Sequence, residues 1–288
     1  AGAVSLPPGA SSQFASALLL ALAAVPGPSS LHVEAPVASS PYLDVTLQVA
    51  AGFGLRIHES AGNGRRFDIE GGAPPHASRF NVAGDWSSAA FPLVAAAATG
   101  GNVTVTGVLA ASKQGDRAIV DHLRAFGAKV TGGDDSVTCD GGALASPGSV
   151  DVSATPDLFP ALCVLAAVSR GTTTLTGAAG LRHKESDRIA AMAAGLSNMG
   201  ILVAERPDGL VVTGGKPRGA MLSAAGDHRI HMALAVAALA ADGPSTIDGA
   251  ASAAVSWPGF HKALGALGAG FTLLQGNRTE LVHDGGEA

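Results

Sequence analysis

Residues 181–188 combine cationic and anionic side chains in a chain that carries little charge. They read LRHKESDR and include Lys184, Glu185 and Arg188. In the whole chain of 288 residues only 14% are Asp, Glu, Lys or Arg. Lysine and arginine donate hydrogen bonds but cannot accept them, and the planar arginine fork fits carboxylate and phosphate oxygens. The segment therefore indicates a binding site for a small anion such as a phosphate or a carboxylate.

A second cationic cluster, DHR at 227–229, contains Arg229 beside a histidine. Cations placed before a helix oppose the helix dipole, so their presence suggests an anionic ligand that the free backbone N–H groups also bind. The alternative for residues 181–188 is a solvated helix start with local ion pairs, such as Lys184 with Asp187. The scarcity of charge elsewhere and the second cluster favour the functional interpretation.

The elements that carry these clusters recur along the chain. Four runs rich in Ala, Leu and Val each end at glycine and lead into a short β-branched strand. The glycines that open these strands are 74, 70 and 72 residues apart. The four runs with their strands are residues 14–35, 91–107, 159–177 and 231–249. Such a period indicates an internal structural repeat.

Each repeat predicts the same order of helices and strands. Its first helix is apolar on every face, which is typical of a buried helix. A second helix, as in 187–205, has apolar residues at helical spacing and a polar start, which is typical of an outer helix. The strands in 101–107 and 171–177 alternate small polar with apolar or β-branched residues, as in a half-exposed sheet. We therefore expect an α+β fold in which the inner helices pack together under a covering of sheets.

Polar residues occupy two equivalent positions in the repeats. The segments before the inner helices are 11–13, 85–88, 155–157 and 227–229, and those before the outer helices are 39–42, 112–117, 181–188 and 256–258. Helix capping is the favoured explanation for Asp85 and Ser112, because Asp and Ser are preferred N-cap residues. Capping does not explain five of the other polar residues, which are Gln13, Lys184, Glu185, His228 and Arg229.

Composition limits the classes of partner and compartment. The net charge of −5 and the isoelectric point near 6.0 argue against nucleic acid or an anionic membrane surface as a partner. The apolar run 14–25 is too short to span a bilayer, and no basic segment precedes it. Cys139 and Cys163 lie in unlike contexts, so we expect no disulfide framework and a cytoplasmic protein.

The clusters and their spacing resemble a known enzyme family. The segments that carry the resemblance are SSQF at 11–14, SSPYLDVTL at 39–47, GDWSSAAF at 84–91, SKQGDR at 112–117, PD at 156–157, LRHKESDR at 181–188, DHRIHMALAV at 227–236 and SWPGF at 256–260. Because these segments occur in the family's order, the chain resembles the enolpyruvyl transferases. Among them it resembles the EPSP synthase (3-phosphoshikimate 1-carboxyvinyltransferase) family in particular. LRHKESDR followed by DHR favours this branch over the related nucleotide-sugar enolpyruvyl transferases.

The resemblance implies a fold and a division into lobes. Members of the family have two lobes, each built from three βαβαββ units, an architecture described as an inside-out α/β barrel, and substrate binds in the cleft between the lobes. This chain shows about four of the six units and looks like the C-terminal two thirds of the family. Residues 1–80 correspond to the last unit of an incomplete N-terminal lobe, and residues 81–288 to a C-terminal lobe of three repeats. We expect the chain alone to turn over more slowly than the complete enzyme.

The resemblance also implies a reaction. The enolpyruvyl group of phosphoenolpyruvate is transferred to the 5-hydroxyl of shikimate 3-phosphate in the shikimate pathway of aromatic amino acid biosynthesis, and inorganic phosphate is released. The reaction proceeds by addition and elimination through a tetrahedral intermediate, with no metal and no organic cofactor. It needs a base for the hydroxyl, an acid for the methylene carbon, and cations for two phosphates and a carboxylate.

The residues that match the family's motifs have implied roles. The residues that the resemblance implies for binding shikimate 3-phosphate are Ser11, Ser12, Gln13, Ser39, Tyr42, Asp157 and Lys184. Asp157 is also the implied base and Glu185 the implied acid and base at the methylene carbon, while His228 supports proton transfer. Arg188 and Arg229 are the implied clamp for the carboxylate and phosphate of phosphoenolpyruvate.

Three departures from the family pattern leave an alternative open: the donor groups of the units that this chain does not show, Val255, and the set Gly180, His183 and His231. Val255 stands where the family usually has a lysine, two residues before the aromatic-proline pair, which removes one cation from the phosphoenolpyruvate site. His231 replaces a small residue beside the inner helix, and we interpret it as a packing change rather than a ligand. The alternative is a truncated or degenerate homologue that binds a phosphorylated ligand or a partner without catalysis. The sequence does not decide the oligomeric state.

Overall fold

The computed structural model describes residues 1–76, 79–275 and 278–282. Its helices are α1 (Ser12–Ala24), α2 (Pro41–Gly52), α3 (Trp86–Thr99), α4 (Ile119–Ala125), α5 (Phe159–Val168), α6 (Arg188–Asn198), α7 (His228–Leu239) and α8 (Phe260–Ala266). Its strands are β1 (Ala3–Leu6), β2 (Gly27–Val33), β3 (Arg56–Ser60), β4 (Arg65–Gly71), β5 (Asn102–Thr106), β6 (Lys129–Gly132), β7 (Ser136–Asp140), β8 (Ser149–Asp151), β9 (Thr172–Thr176), β10 (Leu202–Arg206), β11 (Gly209–Thr213), β12 (Met221–Leu222), β13 (Thr246–Ile247), β14 (Phe271–Gln275) and β15 (Arg278–Val282).

The chain forms two compact units. The first comprises Ala1–Ala83 and Ala111–Arg117, and the second comprises Gly84–Ala110 and Ala118–Ala288. The assignment of 1–80 to one lobe and of 81–288 to another stays a prediction. None of the described helices is both long and apolar enough to cross a membrane.

The first unit is one complete βαβαββ repeat. Its sheet has the order β1-β2-β4-β3, in which β1 and β2 are parallel and the other neighbours are antiparallel. Helices α1 and α2 pack on each other and on this sheet. The core between them is built from Leu19, Leu43 and Phe67, each of which is fully buried.

The second unit contains three further repeats around a shared helical core. Its sheet β8-β9-β11-β10 has the same order and the same directions as the sheet of the first unit. The sheet β5-β7-β6 is three-stranded, and the fourth repeat contributes the pairs β12-β13 and β14-β15. The predicted α+β fold of repeated units is therefore confirmed.

Three inner helices of the second unit pack against one another, as the sequence predicts. Helices α3, α5 and α7 are in mutual contact. Nearly all of their apolar side chains are buried, including Leu93, Leu162 and Leu234. The outer helix α6 is amphipathic, and its residues Ile189 and Met192 are fully buried, in line with its predicted pattern.

The expectation that every inner helix is buried is wrong for α1. In this helix Ala15 and Leu19 are buried, but Phe14 is 63% exposed and Leu20 is 47% exposed within the described structure. The physical reason is the number of repeats in each unit. The first unit holds one repeat, so α1 packs on its own sheet and on α2, whereas each inner helix of the second unit also packs on two others.

The two cysteines behave as the sequence predicts. Cys139 and Cys163 are both buried and free, so no disulfide links them. Burial raises the pKa of the Cys139 thiol to about 11, and it also raises the pKa of the Cys163 thiol well above its ordinary value. Both thiols are therefore protonated and unreactive at neutral pH.

Candidate active site

Arg188 forms the centre of a cluster of charged residues in the second unit. It is the first residue of α6 and is 1% exposed. Its Nε donates to Oδ2 of Asp227 at 2.8 Å, its Nη1 to Oδ1 of Asp157 at 3.0 Å, and its Nη2 to Oε2 of Glu185 at 2.7 Å. The guanidinium therefore brings together three carboxylates that are far apart in the sequence.

The segment before α6 is shaped by a cap and a surface ion pair. Asp187 accepts hydrogen bonds from the backbone N–H groups of Ile189 and Ala190, as an N-cap does. Arg182 donates to Asp187 at 2.9 Å and to Glu205 at 2.9 Å. The local ion pair considered from the sequence, Lys184 with Asp187, is not formed, because Arg182 occupies the carboxylate. Arg182 and Asp187 therefore have a structural role.

Partial burial opposes ionisation of the Asp187 carboxyl. The Ala190 N–H and the Arg182 guanidinium outweigh this effect, so the pKa of Asp187 lies below its ordinary value. The start of α6, and with it the backbone of Arg188, is fixed by an ionised cap.

Asp157 joins the two arginines of the cluster. It lies in a single turn of 3-10 helix, Pro156–Leu158, directly before α5. Its Oδ1 accepts a hydrogen bond from Arg188, and its Oδ2 forms an ion pair with Nη2 of Arg229 at 3.1 Å. Its side chain is 21% exposed, so the carboxylate is held in place and still reachable. This arrangement suits a group that accepts a hydrogen bond from a substrate hydroxyl.

Asp227 is a site residue that the sequence motif DHR did not single out, because the motif stood out for its cationic residues. Its side chain is buried, caps α7 through the N–H of Arg229 at 2.9 Å, and also accepts from the hydroxyl of Ser186 at 3.1 Å. Burial opposes its ionisation, but the hydrogen bond and charge of Arg188 outweigh burial and lower the pKa of Asp227. The signal that could have revealed it is the presence of an acidic residue directly before a histidine and an arginine.

His228 is the first residue of α7 and is 6% exposed. Its Nδ1 lies 3.9 Å from Oδ1 of Asp227. Burial and the positive charge of Arg229 lower the pKa of the imidazole, against the opposing effect of Asp227. Near neutral pH the ring is therefore neutral and can accept a proton or a hydrogen bond.

Lys184 and Glu185 lie at the exposed edge of the cluster. Lys184 is exposed and has no hydrogen bond or ion pair among the described residues. The Glu185 side chain is 50% exposed while it pairs with Arg188. Both side chains can therefore reach a ligand in solvent without leaving a buried position.

The predicted residues Ser11, Ser12 and Gln13 lie at the start of α1 in the first unit. The Ser11 hydroxyl caps the helix by accepting from the N–H of Gln13 at 3.3 Å. Ser12 is buried, and Gln13 is exposed. Capping therefore accounts for a serine at position 11. It does not account for the Gln13 side chain, which lies in solvent.

The predicted residues Ser39 and Tyr42 lie at the start of α2. Tyr42 donates through its hydroxyl to Oδ2 of Asp116 at 3.0 Å. Helices α1 and α2 are also joined by the hydroxyls of Ser16 and Thr46, 2.7 Å apart, about one turn into each helix. The two helix starts therefore lie at the same end of the first unit.

The structure groups the predicted residues by compact unit. Those in the second unit form one cluster, which contains Asp157, Glu185, Arg188, His228 and Arg229, with Lys184 next to it in the chain. Those in the first unit gather at the starts of α1 and α2. Among residues 1–76, 79–275 and 278–282, no group of three or more His, Cys, Asp or Glu side chains is arranged to hold a metal ion.

Comparison with known proteins identifies the family that has these motifs. A family model described as EPSP synthase (3-phosphoshikimate 1-carboxyvinyltransferase) matches residues 2–264. The chain belongs to the EPSP synthase family. The match runs through all four repeats and includes each of the predicted site residues, so the resemblance of the motifs is confirmed.

Relatives in the EPSP synthase family are similar over almost the whole of this chain. Proteins named 3-phosphoshikimate 1-carboxyvinyltransferase from Methanocella arvoryzae and Halobacterium salinarum are each 44% identical, over 93% of this chain and 63% of their own length. The corresponding protein from Thermococcus kodakarensis is 43% identical over 92% of this chain and 64% of its own length. The chain thus spans less than two thirds of the length of the curated relatives it matches.

Solved EPSP synthase structures have the same fold. The EPSP synthase of Acinetobacter baumannii superposes with a TM-score of 0.75 at 31% identity, over 91% of this chain and 61% of that one. A second structure of the enzyme from this organism gives 0.74 at the same identity and coverage. The predicted fold class is therefore that of the family.

Two of the residues that depart from the EPSP synthase pattern, Val255 and His231, have distinct surroundings. Val255 ends a 3-10 helix, Ala250–Val255, that packs against α7, and its side chain is 76% exposed. His231 is 2% exposed and lies within hydrogen-bond distance of the Asp248 carbonyl, at 3.0 Å, and of Nε2 of His261, at 2.9 Å. These contacts agree with the interpretation of His231 as a packing residue.

Proposed function

We propose that this chain supplies substrate-binding and proton-transfer groups for the transfer of the enolpyruvyl group from phosphoenolpyruvate to the 5-hydroxyl of shikimate 3-phosphate, with release of phosphate. The observation that carries the proposal is the cluster around Arg188. Three separate segments bring Asp157, Glu185 and Arg229 together with this guanidinium. Membership of the EPSP synthase family supports the same reaction.

The anion clamp of the proposal consists of Arg188 and Arg229. Both guanidiniums form ion pairs with Asp157, and Arg188 also pairs with Glu185. The carboxylate of phosphoenolpyruvate offers the same pair of acceptor oxygens as these side chains. When it binds, it competes with Asp157 and Glu185 for the arginines. This exchange releases the side chains of Asp157 and Glu185 next to the substrate, so that Asp157 can act as a base and Glu185 can take up the proton that it donates.

Proton transfer divides between two carboxyl groups in this proposal. Asp157 accepts the proton of the 5-hydroxyl as the oxygen adds to phosphoenolpyruvate, and Glu185 in its acid form donates a proton to the methylene carbon. In the elimination step Glu185 takes a proton back from the resulting methyl group, the C–O bond to phosphate breaks, and the leaving phosphate takes up the proton that Asp157 held. Lys184 contacts shikimate 3-phosphate. Neutral His228 either orients its neighbours or relays protons beside the cluster.

The phosphate of shikimate 3-phosphate is assigned to the first unit. Ser11, Ser12, Gln13 and Ser39 offer hydroxyl and amide groups at the starts of α1 and α2, and Tyr42 shapes the pocket. Free N–H groups at helix starts also favour anions. We further propose that the protein does not bind nucleic acid, because its net charge is −5, and that it is cytoplasmic, because its two cysteines form no disulfide framework.

A second candidate function is ligand binding without catalysis. The observation that favours it is Val255, which is exposed where the family usually has a lysine. Loss of one cation weakens phosphoenolpyruvate binding but leaves the proposed groups for shikimate 3-phosphate unchanged.

One experiment separates the two candidates. The 288-residue chain is titrated by calorimetry with shikimate 3-phosphate and with phosphoenolpyruvate, and phosphate release is measured with both present. Binding of both substrates with slow, substrate-dependent phosphate release supports the transferase. Binding of shikimate 3-phosphate without any phosphate release supports the second candidate. Absence of binding by either substrate would contradict both.

A further inference from the structure

Arg65 makes an unusual number of contacts for a strand residue in the first unit. It opens β4, and its side chain is 12% exposed. Its Nε and Nη2 donate to the two carboxylate oxygens of Glu59, each at 2.7 Å, and Nη2 also donates to Oδ1 of Asp44 at 2.6 Å. Its Nη1 donates to the carbonyl of Ser40 at 3.0 Å and to the Ser40 hydroxyl at 3.3 Å. One side chain thus joins β3, β4 and the start of α2.

The contacts of Arg65 use all of its hydrogen-bond donors. A guanidinium has five N–H groups, and these five hydrogen bonds occupy one at Nε, two at Nη1 and two at Nη2. The guanidinium also lies over the buried ring of Phe67, with its central carbon 5.3 Å from the ring centroid. Arg65 therefore has a fixed position and no free donor for a ligand anion.

The segment that Arg65 holds has a strained backbone. Ser39 has a φ of 52°, the left-handed region that residues with a Cβ seldom adopt. The Ser39 carbonyl accepts from the N–H of Tyr42 at 3.1 Å, and the Ser40 carbonyl accepts from the N–H of Leu43 at 3.0 Å. The Ser40 carbonyl therefore receives both a helix N–H and the Arg65 guanidinium. The Ser39 hydroxyl has no hydrogen bond among the described residues.

We propose that Arg65 is a positioning residue for shikimate 3-phosphate: it holds the Ser39–Ser40 turn in the conformation that presents the Ser39 hydroxyl and the start of α2 to the phosphate of this ligand. The inference rests on the proposed function, because that function assigns Ser39 and Tyr42 to the ligand. Arg65 acts through the turn and does not contact the ligand. The two carboxylates beside it balance its charge, so its effect is on geometry.

The test compares Arg65→Lys with Arg56→Lys. A lysine at 65 keeps the charge, but a single ammonium group cannot reach Glu59, Asp44 and Ser40 together. Arg56 is a matched control, because it pairs with Glu70 across the same two strands at 3.1 Å and both side chains are exposed. Binding of shikimate 3-phosphate and of phosphoenolpyruvate is measured by calorimetry for the unsubstituted chain and for both variants.

Arg65→Lys is expected to weaken shikimate 3-phosphate binding roughly tenfold, because charge-assisted hydrogen bonds to the turn are lost. Binding of phosphoenolpyruvate is expected to stay within about twofold, since its proposed clamp lies in the second unit. Arg56→Lys is expected to change neither. If Arg65→Lys lowers the affinity for both ligands equally, or for neither, Arg65 does not position this subsite.

A second measurement examines the turn without any ligand. Amide hydrogen exchange at Tyr42 and Leu43 reports on the hydrogen bonds to Ser39 and Ser40. We expect faster exchange at both amides in Arg65→Lys and unchanged exchange in Arg56→Lys. If the unsubstituted chain binds neither ligand, the proposed function fails, and this exchange measurement still decides whether Arg65 holds the turn. Unchanged exchange in Arg65→Lys would overturn the inference.

Discussion

Arg188 and Asp227 form a buried ion pair that joins the starts of two helices. Nε of Arg188, the first residue of α6, donates to Oδ2 of Asp227, the cap of α7, at 2.8 Å. The side chains are 2% and 0% exposed. The pair fixes one edge of the guanidinium, so its other donors point to Asp157 and Glu185. The geometry of the candidate site therefore depends on a residue that does not need to contact substrate.

We expect Asp227→Asn to destabilise the protein. Asparagine keeps the cap of α7, but it leaves the buried Arg188 charge without its most buried counter-ion. Breaking a buried ion pair by removing one partner costs about 3 kcal/mol or more. The free energy of unfolding, measured with urea, tests this expectation.

The control for this substitution is Asp242→Asn. Asp242 pairs with Lys216 at 3.2 Å, and both side chains are more than two thirds exposed, at 72% and 71%. Exposed pairs contribute about 0–1 kcal/mol, so the control should change stability little. Equal effects of the two substitutions would show that the Arg188 pair contributes no more than a surface pair.

Acidification should destabilise the protein through His261. Burial, and secondarily the neighbouring His231, lower the pKa of the His261 imidazole from the ordinary value of 6.5 to about 4. Between pH 6.5 and about 4 the unfolded chain binds a proton that the folded protein does not bind. The stability that His261 contributes is therefore complete above this window and falls as the pH decreases through it.

The measurement is the free energy of unfolding across this range for His261→Gln. The variant should lose less stability on acidification than the unsubstituted chain does. His58→Gln is the control, since the His58 side chain is 69% exposed and contacts Glu70 at the surface. A pH dependence that is identical in all three proteins would refute the assignment to His261.

Lys184→Met should abolish binding of shikimate 3-phosphate. The Lys184 side chain is exposed and has no ion pair among the described residues, so its charge is available to the ligand. Methionine has a similar length but no charge. Lys113→Ala is the control because Lys113 is also exposed and belongs to the equivalent segment of another repeat. Calorimetric titration is the measurement, and equal losses in both variants would mean that the pocket is wrongly placed.

Val255→Lys should strengthen binding of phosphoenolpyruvate. The substitution restores a cation at an exposed position whose 3-10 helix packs on α7, the helix that carries Arg229. One added charge near an anion in a partly solvated site increases affinity by roughly fivefold to tenfold. The same substitution at Leu202, which is 71% exposed on β10, is the control for net charge. If both variants gain the same affinity for phosphoenolpyruvate, or if Val255→Lys gains none, Val255 does not lie near the phosphoenolpyruvate site.

Much of the fold follows from the repeated pattern alone. The recurring apolar runs predicted the inner helices, and α3, α5 and α7 are buried because each meets two others. The pattern could not show that α1 is half exposed. Helical periodicity reports which residues are apolar, whereas burial depends on how many helices share a core.

Residue types in the sequence located the candidate site, but they did not show which of its charged residues pair with each other. Lys184, Glu185, Arg188 and Arg229 stood out because cations before a helix are unusual in a chain with little charge. Nothing in their order along the chain showed that Arg188 contacts three carboxylates. Such contacts depend on distances between segments that are about 30 to 40 residues apart, which tertiary packing decides.

The sequence by itself determined the family, the four repeats and the segments that carry the chemistry. These features are local or periodic, so they can be read from residue types and spacing. Tertiary structure alone decided that Asp227 is the buried partner of Arg188 and that Arg65 holds the turn at Ser39. In both cases an arginine reaches across separate elements, and the number of donors it can satisfy depends on how those elements pack.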